Sequence, residues 1–306
     1  MNPALSLAPR PTPPGPDRAA EALAPFVRRH LPGVEAALAA ALPSPVGLPP
    51  TLDAATREAL GVEGRPGSRW RPLLTLAAAQ ATGGDPLAAL PVAVAVELTH
   101  TASLVLDDLP SMDDADQRRG RSSTHRQVGP GGAILLAVSL LARSAELLGA
   151  LPARGGRLSA EWGEAFGLSG MAGGQAVDLT GTFAGGGAAR RLHRRKTTAL
   201  SAFAVRAGAV AVGAPEPVAL GLSRFGRDLG WAYQLADDAE DWKEDARLGR
   251  GPGGRSPRRQ SLRVLEGALR RMRELPGLSA QGVLLMEALA RQTAGFPQNP
   301  GGRKWA

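Results

Sequence analysis

Two clusters of aspartate are the residues of this chain best placed to do chemistry. The first lies in ELTHTASLVLDDLPSMDDADQRRGR and holds Asp107, Asp108, Asp113 and Asp114; the second lies in FGRDLGWAYQLADDAEDW and holds Asp237, Asp238 and Asp241. Each follows a long apolar run, where isolated carboxylates are costly to desolvate. Asp237 and Asp241 are four apart, which sets both on one helical face about 6 Å from each other. Pro110 has no backbone N–H and breaks the first helix just after Asp108, so that Asp113 returns towards Asp107 from the following turn. Oxygen-only clusters without His or Cys suit a hard cation such as Mg2+, which takes one or two carboxylates and completes its shell with water and substrate phosphate. A single D-D-x-x-D reads as a solvated helix end. Two such clusters more than a hundred residues apart, each closing an apolar helix, point instead to a shared site that clamps a diphosphate through bridging metal.

The elements that must carry these residues are helices. Of the 306 residues, 43% are hydrophobic and only 4% aromatic, and alanine and leucine dominate over β-branched runs, so local propensity favours an all-α chain. The patterns predict helices over residues 19–42, 70–82, 87–109, 132–150, 158–180, 190–212, 216–245 and 260–292, broken at Gly/Pro clusters. Leu222, Phe225, Leu229, Tyr233 and Ala236 mark the apolar face of the helix that ends in the second cluster. Six prolines within residues 1–18 predict a disordered arm, residues 19–292 read as a single helical domain, and 293–306 as a loose tail.

Composition also excludes. With no cysteine there is no disulfide framework or thiolate site. The amino terminus lacks the basic-then-apolar order of a signal peptide, and the longest apolar stretch, GAILLAVSLLARSAELL, contains Arg143 and Glu146 and reads as a core helix rather than a membrane span. A cytoplasmic protein is expected. The net charge of +8 rests on arginine, since the only lysines are Lys196, Lys243 and Lys304; no aromatics interleave with the arginines, so they read as solvated faces and not as a nucleic-acid platform. The G-x-G-x-x-G match from Gly249 to Gly254 has no preceding strand and reads as a flexible loop.

These motifs resemble those of the trans-isoprenyl diphosphate synthase (polyprenyl synthetase) family over roughly residues 60–262, most closely its bacterial geranylgeranyl and farnesyl diphosphate synthases. The resemblance implies an isoprenoid-synthase-type helical bundle around a central cavity, a homodimer, and Mg2+-dependent condensation of isopentenyl diphosphate with the allylic dimethylallyl, geranyl or farnesyl diphosphates. It assigns Asp107, Asp108, Asp113, Asp237, Asp238 and Asp241 to the metal and allylic diphosphate, with Arg118 on the same diphosphate. It places Arg119, Arg69, Arg71 and His100 with isopentenyl diphosphate, and Lys196, Thr197 and Gln234 facing the allylic diphosphate and the developing cation. GGQAVDL fits the family's G-Q-x-x-D-L helix. Ser68 stands where the family has a lysine for isopentenyl diphosphate, Arg250 where it has another lysine, and GRSPRRQSL, with Arg259, replaces its K-x-T-Y segment. Enzymes of the family that stop at C15 tend to carry a bulky aromatic at the position of Ala102. Ala102 and Ser103 are therefore expected to leave the pocket open to a C20, geranylgeranyl product. Farnesyl diphosphate synthesis, a weakly active or silent subunit of a heteromeric synthase, and a class I terpene cyclase are the competing assignments. The last would carry an N-S-E-like second motif in place of DDAED.

Overall fold

The computed structural model describes residues 16–42, 47–63, 67–118, 120–180, 186–247 and 257–293. Its centre is set by one sequence, LPVAVAVELTHTASLVLD, which forms helix α4 (Leu90–Asp107) and is buried without a break from Val92 to Thr99. A helix apolar on every side must be surrounded. It is: α1 (Pro16–Ala40), α3 (Trp70–Ala81), α5 (Thr124–Gly149) and α8 (Gly186–Ala211) pack around it. Helix α2 (Pro50–Leu60) lies against α4 and α5, α6 (Gly155–Phe166) and α7 (Met171–Thr180) against α8, and α9 (Glu216–Arg247) along α8. Helix α10 (Pro257–Arg273) covers α9, and α11 (Ala280–Thr293) closes against α1 and α3.

The all-α expectation holds. Among the described residues the strands amount to one short hairpin, β1 (Gln117–Arg118) with β2 (Arg121–Ser122), just after the first aspartate cluster.

Two glycines set the distances that matter for the site. A Cβ on Gly226 of α9 would fall 2.5 Å from the Ser201 carbonyl oxygen of α8, and one on Gly174 of α7 would fall 2.4 Å from the Lys196 nitrogen. No other residue lets α7 and α9 approach α8 so closely.

Several boundaries differ from expectation. Helix α2 has no counterpart in the helices predicted above; Pro49 and Pro50 masked a helix that begins with proline at its first position and ends on Gly61 in the left-handed region at φ 66°. The stretch 158–180 is two helices, parted by the turn Gly167–Gly170, and 260–292 is two, parted at Pro276 and Gly277, where φ is 77°. Helix α5 starts at Thr124 and kinks at Gly129, before Pro130. Helix α1 begins at Pro16, inside the predicted arm; residues 1–15, the tail beyond Thr293 and the glycine loop 249–254 lie outside the described residues.

The expectation that GAILLAVSLLARSAELL is a core helix is half right. Ala133, Leu136, Ala137 and Leu140 are buried, while Ile134, Leu135 and Val138 are 44%, 62% and 54% exposed. By length and composition both the Pro86–Asp107 segment and α5 could cross a bilayer, but the first is mostly buried inside the protein.

Candidate active site

Asp107 is the last residue of α4 and Asp108 its cap. Successive helical residues point about 100° apart, so the two carboxylates part company. Asp107 faces a cavity; Asp108 is buried, and both its oxygens accept from Arg118, at 2.7 and 2.9 Å from Nε and 2.6 Å from Nη2. The chain then turns at Pro110 as predicted: the Asp113 N–H donates to the Asp107 carbonyl at 2.9 Å. Burial pushes the Asp107 carboxyl up to about 6, the Lys196 charge opposing this and the neighbouring Asp113 adding to it.

Helix α8 supplies Lys196 and Thr197. The close approach at Gly174 lets Asp178 of α7 accept from Lys196 Nζ at 2.6 Å. Thr197 Oγ1 donates to Gln234 Oε1 at 2.8 Å, and Gln234 Nε2 donates to Asp238 at 2.8 Å. A chain of hydrogen bonds thus ties α8 to the second aspartate cluster on α9 and orients the Gln234 amide.

These groups line one cavity of about 560 Å³. Its polar lining includes Ser68, Arg71, His100, Ser103, Asp107, Arg118, Lys196, Thr197, Gln234 and Asp237; its apolar lining includes Leu104, Leu106, Met112, Phe166, Met171, Leu200 and Tyr233. Most of the predicted set, drawn from α3, α4, α8 and α9, is therefore brought together.

Four residues lie otherwise than expected. Arg69 does not reach the cavity: it is 2% exposed, its backbone lies at φ 48°, and its guanidinium donates to Glu35 of α1, Glu97 of α4 and the Leu60 carbonyl at the end of α2. It is a buried tie between four helices. Ala102 is fully buried in the core; one residue on, Ser103 faces the cavity. Asp108 accepts three hydrogen bonds from Arg118, which makes it the anchor of that arginine. Asp238 is exposed and off the cavity wall, where it holds Gln234. Arg119, Arg250 and the Asp241 side chain lie outside the described residues.

The sequence reading did not assign the wall residues Trp70, Met112, Phe166 and Met171. Arg71 lies 4.3 Å over the Trp70 ring, and Trp70 stands 6.0 Å from Tyr233. Gln175 was seen only as part of a motif. It lines the cavity, and its Oε1 is buried without a hydrogen-bond donor.

The donor set fits a hard divalent cation held jointly with a substrate. Among the described residues no three metal-binding side chains converge into a cage. What is present is a half-shell: Asp107 burdened by burial and by two neighbouring carboxylates, with Asp237 on the same cavity from a different helix. Mg2+ binds in that manner, through one or two carboxylates plus phosphate and water.

The polyprenyl synthetase family model matches residues 53–253. Over 186 residues the chain is 39% identical to a farnesyl diphosphate synthase of Geobacillus stearothermophilus, covering 57% of this chain and 62% of that protein. Over 240 residues it is 36% identical to the chloroplastic geranylgeranyl pyrophosphate synthase 11 of Arabidopsis thaliana, covering 74% and 66%. Both matches span less than two thirds of the relative's own length. The structure superposes on an FPP/GFPP synthase from Zymomonas mobilis with a TM-score of 0.75 at 28% identity, covering 91% of this chain and 99% of that one. The fold is thus the all-α isoprenoid synthase fold, and with the family match extending over well more than half of its residues this chain belongs to the polyprenyl synthetase family.

Proposed function

We propose that the protein is a prenyltransferase that condenses isopentenyl diphosphate with allylic diphosphates to a short-chain trans-prenyl diphosphate of C15 to C20. One observation carries this: a single cavity lined by two aspartates from different helices, Asp107 and Asp237, by four cations or cation-capable groups, Arg71, His100, Arg118 and Lys196, and by apolar side chains. Such a lining suits an anionic head and a hydrocarbon tail. Asp107, Asp113 and Asp237, with Asp241 by the family resemblance, would hold Mg2+, which when bound would neutralise the charge of the departing pyrophosphate.

The chain's own groups do the rest. Lys196 and Arg118, both on the cavity, would stabilise the allylic diphosphate as its C–O bond ionises. The Gln234 carbonyl oxygen and the Thr197 hydroxyl, fixed by their hydrogen bond, and the ring of Tyr233 border the space in which the allylic cation is exposed. The apolar walls exclude water that would quench it. Arg71 and His100 hold the second diphosphate, so that the isopentenyl double bond attacks the cation and a carbon–carbon bond forms. Loss of a proton to the released pyrophosphate restores neutrality, and no protein nucleophile is required. Intact aspartates in both clusters support an active enzyme over a silent subunit, and DDAED supports a synthase over a cyclase.

The expectation of a C20 product rested on Ala102 and Ser103. Only Ser103 remains on the wall; being small, it lets the tail pass the turn nearest Asp107. The exposed stripe Ile134, Leu135 and Val138 of α5 supports a homodimer in which this stripe faces its copy. The test is incubation of the purified chain with Mg2+, isopentenyl diphosphate and separate C5, C10 and C15 allylic partners, with products identified by mass. Prenyl diphosphates of C15 or C20 are expected. No condensation with any partner would overturn the proposal.

A further inference from the structure

Three helices that bring polar groups to the cavity also bring an apolar side chain about one turn away, although on α4 Ser103 and His100 line the cavity further back. Helix α8 passes from Lys196 and Thr197 to Leu200, α4 from Asp107 back to Leu104, and α7 from Gln175 back to Met171. Phe166, the last residue of α6, lines the same cavity.

Trp162 stacks on the Phe166 ring with centroids 5.9 Å apart and planes within 5°. Trp162 itself does not line the cavity, so Phe166 stands between the indole and the open space. The indole N–H donates to Thr99 Oγ1 at 2.8 Å, and Thr99 in turn is held to the Ala95 carbonyl at 2.7 Å. On the other side Glu161 accepts from Arg206 of α8 at 2.8 and 2.9 Å. The last turn of α6 is therefore keyed to α4 and α8 at once. Thr99 is eight residues before Asp107, which places this level about 12 Å from the aspartate along α4. A tail of two to three isoprene units, at roughly 5 Å each for ordinary carbon–carbon bonds, spans that depth.

We propose that Phe166 is the residue that ends the growing prenyl tail, with Trp162 as the positioning residue that holds its ring across the path. The inference rests on the prenyltransferase function proposed above and adds where the product length is set. It also moves that control from α4, the helix of the aspartate motif, to α6.

The experiment compares product distributions of full-length wild type, Phe166→Ala, Phe166→Leu and Trp162→Phe under identical Mg2+ and substrate concentrations, by chromatography and mass. Phe166→Ala is expected to shift the main product upward by one five-carbon unit, and Phe166→Leu to shift it in the same direction by a smaller share; the leucine variant keeps an apolar side chain at the end of α6 and carries the test where the alanine variant does not fold. Trp162→Phe keeps a stacked ring but removes the N–H, and is expected to broaden the distribution towards longer products. A role in core packing alone would lower thermal stability and leave the distribution as it was. Active Phe166 variants with the wild-type distribution overturn the proposal, and an unaltered distribution in Trp162→Phe removes the positioning role. A wild type that makes no prenyl diphosphate is a different result: it refutes the function itself, and this inference with it.

Discussion

Asp107, proposed above to hold a metal, carries a burial penalty when charged. Its carboxyl titrates near 6 in the folded protein because burial disfavours its charge, against about 3.9 in an unfolded chain. The folded state therefore holds an extra proton between these values, and stability falls as pH rises across roughly 4 to 6. Above that window the charge costs at most about 3 kcal/mol, two pKa steps of about 1.4 kcal/mol each. Asp107→Asn should accordingly raise the thermal midpoint of the metal-free protein near neutral pH, give no gain below about pH 4, and cut turnover by several orders of magnitude. Thermal unfolding at a series of pH values checks the first two outcomes; equal midpoints at all pH values would contradict the burial argument. Ser68 lies on the cavity with a short neutral side chain. Ser68→Lys should lower the Michaelis constant for isopentenyl diphosphate by about tenfold or more, since a hydrogen bond to a charged group contributes about 1.5–3 kcal/mol; steady-state kinetics decide it. Ser103→Tyr, which fills the wall one turn from Asp107, should shorten the main product, whereas Ala102→Tyr should destabilise the packed core. Product analysis and melting curves separate the two. Which residues were legible follows from geometry. Asp107, Lys196 and Gln234 were picked out by type and spacing, and all three line the one cavity. Ala102 and Ser103 could not be told apart without knowing which face of α4 meets the cavity, and Phe166 gave no signal because an aromatic on an amphipathic helix reads as core.

Arg69 shows the same difficulty at the scale of the elements. A basic residue in a loop before a helix reads as a ligand-binding group, and nothing local shows that it turns inwards. Its partner Glu97 is 4% exposed, so removing the arginine leaves a buried carboxylate unpaired. Arg69→Met should cost about 3–5 kcal/mol of stability, on the order of 10 °C in midpoint for a chain of this size, while the Michaelis constant for isopentenyl diphosphate stays within about twofold. A large rise in that constant with an unchanged midpoint would return Arg69 to the substrate site. The long helices were read correctly because their apolar period persists over many turns, as in α4 and α9. Helix α2 escaped because three turns framed by prolines carry little period. The breaks inside 158–180 and 260–292 escaped because the apolar pattern resumes almost in phase beyond the turn.

For the whole molecule, the face of α5 turned away from the core is the largest departure from what a monomer needs. Ile134, Leu135 and Val138 recur at helical spacing, a stripe that a second copy would cover. Leu135→Glu should convert the proposed dimer to a monomer, visible as a halved mass in sedimentation equilibrium, and an unchanged mass would place the partner face elsewhere.

The cations and carboxylates at the cavity also lean on one another. Lys196 leans on Asp178, Arg118 on Asp108, and Asp107 is partly balanced by Lys196. On the proposed function, a cation arriving alone must compete with Lys196 for Asp107, and a diphosphate arriving alone must draw its cations from carboxylates. Arriving together, each releases the protein charge that the other needs. Metal and substrate are then thermodynamically linked, each raising the affinity for the other by the same factor, so that neither resides long in a site the other has not entered.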